Sequence, residues 1–309
     1  MKKLIVTGAN GFIGVHALHR LAGLGYEVHG IALEGEALKA RSPEPGIIWH
    51  RLDLMDELQC ARIFDEVRPE LLLHLAWYTE HGKYWSSEKN LDWVRASLGM
   101  LGAFARSGGE RAVMAGTCAE YDWGRVQQPC IEDVTPTEPR TLYGASKNGL
   151  RLISSAFCRQ NGISLAWGRI FQPFGPYEPK LRLVPSVTVS LLRGQEARCT
   201  AGDQLRDFMH TPEVASALAA LLHSRVEGAV NIASGRPVSI KDLVMMIARK
   251  LGHPELVRMG AIPAAKDDPP VLLADVRRLN DEVGWRPEGD LDAWLGRTIE
   301  WWRQNLPDG

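Results

Sequence analysis

Residues 1–21 read MKKLIVTGANGFIGVHALHRL, and this stretch decides the fold. Leu4-Ile5-Val6 is a short apolar strand, Thr7-Gly8-Ala9-Asn10-Gly11-Phe12-Ile13-Gly14 a glycine-rich turn, and a helix follows. Strand, turn and helix in that order form a cradle for a dinucleotide pyrophosphate. The first turn of a helix offers unpaired N–H groups and the positive end of its dipole to an anion. Gly8 permits the sharp turn off the strand, Gly11 lets a phosphate approach the backbone, and Gly14 lets the helix pack closely on the sheet. In a chain with 30 glycines, three spaced glycines alone are weak evidence. Their position directly after a strand is what makes the match specific, against the plain alternative of an ordinary glycine turn.

The rest of the composition is compatible with that reading. At 309 residues, with 45% hydrophobic and 24% charged content, the chain suits one large α/β domain or a domain with a smaller lobe. A net charge of −1 gives no electrostatic reason to expect nucleic acid or an anionic membrane as partner. No apolar run approaches the roughly 20 residues of a membrane span. The lysines and apolar residues at the start are interrupted by Gly8, Asn10 and Gly11, which argues against a signal peptide. The five cysteines are odd in number and lack CxxC pairing, which suits a reducing cytoplasm and speaks against a structural metal.

Working outward, Tyr26–Leu33 reads as the second strand. An acid at its tip would hydrogen-bond the adenosine ribose of NAD. Here Ala32-Leu33-Glu34 displaces or omits that acid, while Lys39 and Arg41 are near enough to meet a 2′-phosphate if the loop folds back. The cofactor is therefore expected to be NAD(P)(H), with the balance tipping slightly to NADP(H). Ile47–Leu52 is a third strand, and Asp53 after it either meets the adenine amino group or caps a helix over Met55–Val67. Pro69–Leu75 is a continuous apolar strand, as a parallel sheet buried on both faces requires. His74 at its end reads as a packing residue, and the aromatic, polar stretch Trp77–Trp93 as a loop over the site.

A helix over Leu91–Arg106, a strand over Arg111–Ala115, a helix from Tyr143 to about Gln160 and a strand over Gly162–Arg169 follow. This alternation predicts a Rossmann-type, doubly wound parallel sheet with right-handed crossovers. Prolines then become frequent. Residues 1–170 are read as the dinucleotide-binding domain, with 205–235 returning to it, and 171–204 and 236–309 as a smaller, interleaved substrate lobe. Within that lobe Ser239–Lys250 has a capped, amphipathic helix pattern with Met245-Met246 as core, and Trp294, Trp301 and Trp302 dock a last helix.

Tyr143 and Lys147 lie four apart on a helix and share a face. A phenol with a pKa near ~10 is a poor acid–base group at neutral pH, but a nearby ammonium and a positive nicotinamide ring both favour its phenolate. Tyr143 then exchanges a proton with a substrate oxygen while hydride moves at the nicotinamide, Lys147 also holds the nicotinamide ribose, and Thr117 at a strand end gives that oxygen a second hydroxyl. Alone, such a pair is more often a surface feature. With the glycine turn and Thr117 it reads as catalytic.

TGANGFIG, the Thr117 segment and Tyr143-Gly144-Ala145-Ser146-Lys147 occur in an order and spacing that resembles the extended short-chain dehydrogenase/reductase superfamily. HLA at 74–76, GRIFQPFGP at 168–176, GDQLRDFMHTPEVA at 202–215, NIASGRPVSI at 231–240 and GWRPEGDL at 284–291 extend the resemblance over almost the whole chain. It implies a nucleotide-diphosphate-sugar enzyme with a tightly bound nicotinamide cofactor. It also implies cofactor contacts from Gly8, Asn10, Gly11, Phe12, Ile13, Gly14, Asp53, Leu54, Leu75, Ala76 and Lys147. Substrate contacts are implied at Gln172 and around Val184, and Arg206 would grip the diphosphate, a role a guanidinium fork suits unless it pairs with Asp203 or Asp207. The helices 91–106 and 143–160 match the pair through which the family dimerises, implying a homodimer.

Departures from the pattern narrow the reaction. The family's 4,6-dehydratases carry Asp-Glu after the residue matching Thr117. Cys118-Ala119 stands there instead, which argues against dehydration, and Glu120 on a continuing strand would face away. Cys118 is one position early for the cysteine of the GDP-fucose-forming enzymes and reads as a packed thiol. Gln172 replaces the usual substrate-contacting asparagine. Chemistry at a single carbon remains: reduction of a 4-keto-6-deoxyhexose at C4, with C4 epimerisation as the alternative. A non-catalytic dinucleotide sensor, the third possibility, would be marked by a broken Tyr/Lys pair, and both residues are present.

Overall fold

A computed structural model describes residues 1–39, 46–124, 129–265 and 268–306. In chain order the elements are β1 (Lys3–Thr7), α1 (Gly14–Ala22), β2 (Glu27–Ala32), β3 (Ile47–Arg51), α2 (Glu57–Val67), β4 (Leu71–His74), α3 (Lys89–Arg106), β5 (Arg111–Thr117), α4 (Leu142–Gln160), β6 (Ser164–Ile170) and β7 (Gln172–Phe174). There follow α5 (Leu183–Leu192), β8 (Ala197–Arg198), β9 (Leu205–His210), α6 (Thr211–His223), β10 (Gly228–Ile232), β11 (Pro237–Ser239), α7 (Ile240–Leu251), β12 (Val257–Arg258), β13 (Val271–Leu272) and α8 (Leu291–Asn305).

Seven strands form one sheet in the order β10-β6-β5-β4-β1-β2-β3, every neighbouring pair parallel. The near-continuous apolar runs explain the arrangement: Leu4, Ile5 and Val6 are fully buried, as are Leu72 and Leu73. Such strands need helices on both faces, and only crossover connections supply them. The expected doubly wound Rossmann-type sheet is thus the observed one. From β1 the chain steps outward to β2 and β3, then returns to β4 on β1's other side, where Thr7 lies opposite His74. The strand order reverses between these two ends, which is where open α/β sheets hold their ligands.

A second sheet centres on β9, which pairs with β7 and β13 in parallel and with β11 antiparallel. The segment 205–235 divides between the two sheets. β9 stays with the small sheet, whereas β10 pairs with β6 in the large one. Asp207 ties β9 to the chain that follows β10: its buried carboxylate accepts the N–H groups of Ser234 and Gly235 and the Ser234 hydroxyl. One continuous core runs from Leu4 and Val6 through Leu218 of α6 to Leu243 and Ile247 of α7 and Trp294 of α8.

Two local readings are corrected. The helix after β3 is capped by Asp56, whose carboxylate accepts the N–H groups of Leu58 and Gln59, so Asp53 is not its cap. Residues Cys118–Glu120 form a 3-10 turn instead of continuing β5. The last helix docks as expected, with Trp294 and Trp302 buried.

Candidate active site

The glycine turn follows β1 directly. Gly8 has φ +64°, and a Cβ there would lie 2.8 Å from the Ala76 nitrogen; at Gly14 it would lie 2.1 Å from the Gly8 carbonyl oxygen. The turn is therefore folded tightly on itself and on the end of β4, where the Thr7 hydroxyl accepts the N–H groups of Leu75 and Ala76 at 3.2 and 3.3 Å. Gly11 N–H donates to the Gly8 carbonyl at 2.9 Å. Ile13, the N-cap of α1, gives no side-chain cap. A helix start without a side-chain cap behind a glycine-rich turn fits a pyrophosphate.

Asn10 departs from its expected role as a cofactor contact. Its carboxamide donates to the Ala37 carbonyl at 3.0 Å and accepts the Lys39 N–H at 2.7 Å. It therefore fastens the loop after β2 to the glycine turn. The Lys39 backbone N–H thereby lies against the turn, while Arg41 lies outside the described residues. Ala32 is buried, Leu33 and Glu34 are exposed, and the tip of β2 carries no acid of its own. Tyr177, held at φ +67°, donates its hydroxyl to the Lys39 carbonyl and packs its ring on Trp301 and His16. Phe12 faces the Arg182 guanidinium, Leu54 is buried, and exposed Asp53 accepts the Met55 N–H.

Across the switch point, β5 ends at Thr117 and α4 presents Tyr143 and Lys147. The Thr117 hydroxyl lies beside the Tyr143 phenol. Lys147 is buried, donates to the Ala115 carbonyl at 2.9 Å and sits 3.8 Å from the centre of the Trp77 ring. Burial lowers its pKa to about 7, with Glu120 opposing. Burial, and then Tyr84, push the Tyr143 phenol above its ordinary value, while the Thr117 hydroxyl pulls the other way. The expected lowering by Lys147 does not prevail in this arrangement, because burial of the phenol outweighs it.

His74 is a buried strut, bridging the Thr7 and Ser97 hydroxyls at 2.7 and 2.8 Å, with burial lowering its pKa to about 3. Glu120 is fully buried and turned away from the site. It accepts the N–H of Thr117, the Trp167 indole N–H and the Arg169 guanidinium, each at 2.8 Å. Cys118 is a packed thiol, raised to about 12 by burial. In the two positions after Thr117, where a dehydratase keeps its acids, there is thus no group to remove a proton from a neighbouring sugar carbon.

The expected substrate residues fare unevenly. Gln172 opens β7 and is half-buried. Val184 is sealed in the core, because the apolar face of α5 turns inward, so its side chain is not a contact surface. Arg206 does form an ion pair, but with Asp268 at 2.5 Å and not with Asp203 or Asp207. The aromatic stretch does lie over the site. The Tyr84 and Trp85 rings stand edge-on to Tyr143, at 4.9 and 5.7 Å between centres. Local sequence does not single out Trp77, Tyr84, Trp85 or Arg182 as individual site residues. The crowding of aromatics after His74 is the available signal.

The description NAD dependent epimerase/dehydratase family belongs to the family model that matches residues 4–233. Among relatives, UDP-glucuronic acid decarboxylase 1 of Xenopus tropicalis is 27% identical over 99% of this chain and 73% of its own length. UDP-glucose 4-epimerase of Azospirillum brasilense is 29% identical over 97% of this chain and 92% of its own. The crystal structure of the Thermus thermophilus UDP-glucose 4-epimerase in complex with NAD superposes with TM-score 0.87 and 25% identity, covering 98% of this chain and 100% of that one.

Proposed function

Because the chain belongs to the NAD-dependent epimerase/dehydratase family, we propose that it moves hydride reversibly between a nicotinamide cofactor and C4 of a nucleotide-diphosphate hexose, acting as a 4-epimerase. The observation that carries this reading is the pairing of the Thr117 and Tyr143 hydroxyls beside buried Lys147, with Cys118-Ala119 where a dehydratase has its acids. The 4-epimerases among the relatives favour the same reaction.

The cofactor, when bound, supplies the hydride acceptor and donor at C4. The glycine turn at Gly8 and Gly11–Gly14 would hold its pyrophosphate, with Leu54, Asp53, Leu75 and Ala76 lining the rest and Lys147 holding the ribose. Tyr143 takes the proton of the C4 hydroxyl as hydride leaves that carbon, and Thr117 hydrogen-bonds the same oxygen. Return of hydride to the opposite face of C4 in a rotated 4-keto sugar, with the Tyr143 proton going back to the C4 oxygen, gives the epimer. Lys147 stabilises the phenolate before the first half-reaction and after the second; between them Tyr143 carries the proton. Gln172 and Arg206 would contact the sugar and its diphosphate, with Asp268 yielding Arg206 to the phosphates. We assign the large sheet to cofactor and the small sheet with α5, α7 and α8 to substrate.

A second reading, reduction of a 4-keto-6-deoxyhexose by NADPH, is favoured by the missing acid at β2 and by Lys39 held at the glycine turn. Two measurements separate them: the mass of the cofactor released from purified protein, and turnover of NDP-hexoses against NADPH consumption with NDP-4-keto-6-deoxyhexoses. Retained NAD with cofactor-neutral interconversion supports the epimerase. A 2′-phosphorylated cofactor consumed one for one replaces it with the reductase.

A further inference from the structure

The loop between β4 and α3 carries more than a cover for the site. Asn90, in the first turn of α3, is fully buried, and its carboxamide is spent on that loop. Its oxygen accepts the Trp77 indole N–H at 2.9 Å, and its nitrogen donates to the carbonyls of Tyr84 at 2.7 Å and Ser87 at 2.8 Å. Two of these partners lead to catalytic groups. The Trp77 ring lies on the Lys147 ammonium. Tyr84 and Trp85 stand edge-on to the Tyr143 ring, and the Trp85 carbonyl accepts the Tyr143 N–H at 3.1 Å.

We propose that Asn90 is a positioning residue for both halves of the Tyr143–Lys147 pair. Through one carboxamide it seats Trp77 on the lysine and the Tyr84–Trp85 segment on the tyrosine. The inference rests on the catalytic assignment made above. A primary amide suits the task, since it offers an acceptor oxygen and two donor hydrogens in a fixed plane and all are used here. Trp77 shields an ammonium whose hydrogen bond goes to the Ala115 carbonyl, and a cation held over an indole face gains where water is excluded. Without Asn90 the loop loses its shared fastening, water reaches the lysine, and its charge is screened from the phenol. The neutral-range titration of Lys147 is the reporter of that dry setting.

The test is a titration of isotope-labelled lysine by NMR, in protein free of added cofactor, with the Lys147 signal assigned by its loss in Lys147→Arg. Asn90→Ala is expected to raise the Lys147 midpoint by about one unit or more, a tenfold change in proton affinity. Trp77→Phe, which keeps a ring but loses the indole N–H, should move it the same way, and carries the test if Asn90→Ala does not fold. In turnover, Asn90→Ala should lower kcat by about tenfold or more with KM for the sugar nucleotide within about threefold, as expected when transition-state positioning is lost and binding is not. A midpoint unmoved in both variants overturns the proposal. Tyr143→Phe tests the underlying assignment separately: if it leaves turnover intact, the catalytic reading fails, while the titration still judges whether Asn90 seats Trp77 on Lys147.

Discussion

Lys147 is a buried base in the folded protein, and its charge has a cost that can be measured. Its folded pKa of about 7 lies below the ordinary 10.5. Between those values the unfolded chain binds a proton that the folded protein does not, so stability from this group rises with pH through that window. Below the folded value both states are protonated and the full cost of the buried ammonium applies. Lys147→Met should therefore gain most in unfolding free energy near pH 6 and progressively less towards pH 10, even though it loses the bond to Ala115. Denaturant unfolding across that range checks the sign. Tyr143→Phe keeps the ring against Tyr84 and Trp85 but removes the proton carrier. Turnover should fall by about 10²–10⁴, the usual worth of a positioned acid–base group, with cofactor binding by fluorescence titration little changed. Glu120 is the opposite kind of residue, buried for structure. Glu120→Ala leaves Arg169 charged and without its carboxylate under the sheet and should cost about 3–5 kcal/mol in thermal or chemical unfolding.

At the scale of elements, the glycine turn is the most exacting piece. Gly14→Ala would place a methyl 2.1 Å from the Gly8 carbonyl oxygen and 2.8 Å from Ala9 Cα and O, all backbone atoms, so the turn itself must open. The expected outcome is loss of cofactor binding by calorimetry together with a destabilisation of about 1–3 kcal/mol, typical of overpacking. This turn is legible from residues 1–21 because everything it needs is local: an apolar strand, spaced glycines and a helix. The Tyr143–Lys147 pair is legible for the same reason, since helical spacing alone puts both on one face. Pairings set by distant chain are not. Asn10 reads locally as a cofactor contact, but its carboxamide meets Ala37 and Lys39, residues that only the fold brings back. Arg206 has acidic neighbours close in sequence, whereas its partner Asp268 comes from across the lobe. Glu120 reads as strand because the local pattern does not reveal the capping interaction with Thr117 that starts a 3-10 turn.

For the whole molecule, the parallel sheet is legible from alternating strands and helices, but the course of 205–235 is not. β9 and β10 part because their pairing partners, β7, β11 and β13 for the first and β6 for the second, come from distant chain. The outer faces of α3 and α4 carry exposed apolar side chains, Leu91 at 56%, Leu152 at 55% and Ile153 at 50%. We propose these faces as the homodimer contact that the family resemblance implies. Replacing Leu152 and Ile153 together by aspartate should halve the mass measured by light scattering, and an unchanged mass removes the contact from consideration.

The ring of Tyr177 lies on Trp301 near the end of α8, and its hydroxyl holds the carbonyl of Lys39 in the loop that follows β2. The last helix is thus in mechanical touch with the loop that Asn10 fastens to the glycine turn. Under the proposed function, trimming α8 before Trp301 removes the ring on which Tyr177 packs and should change cofactor affinity in a binding titration.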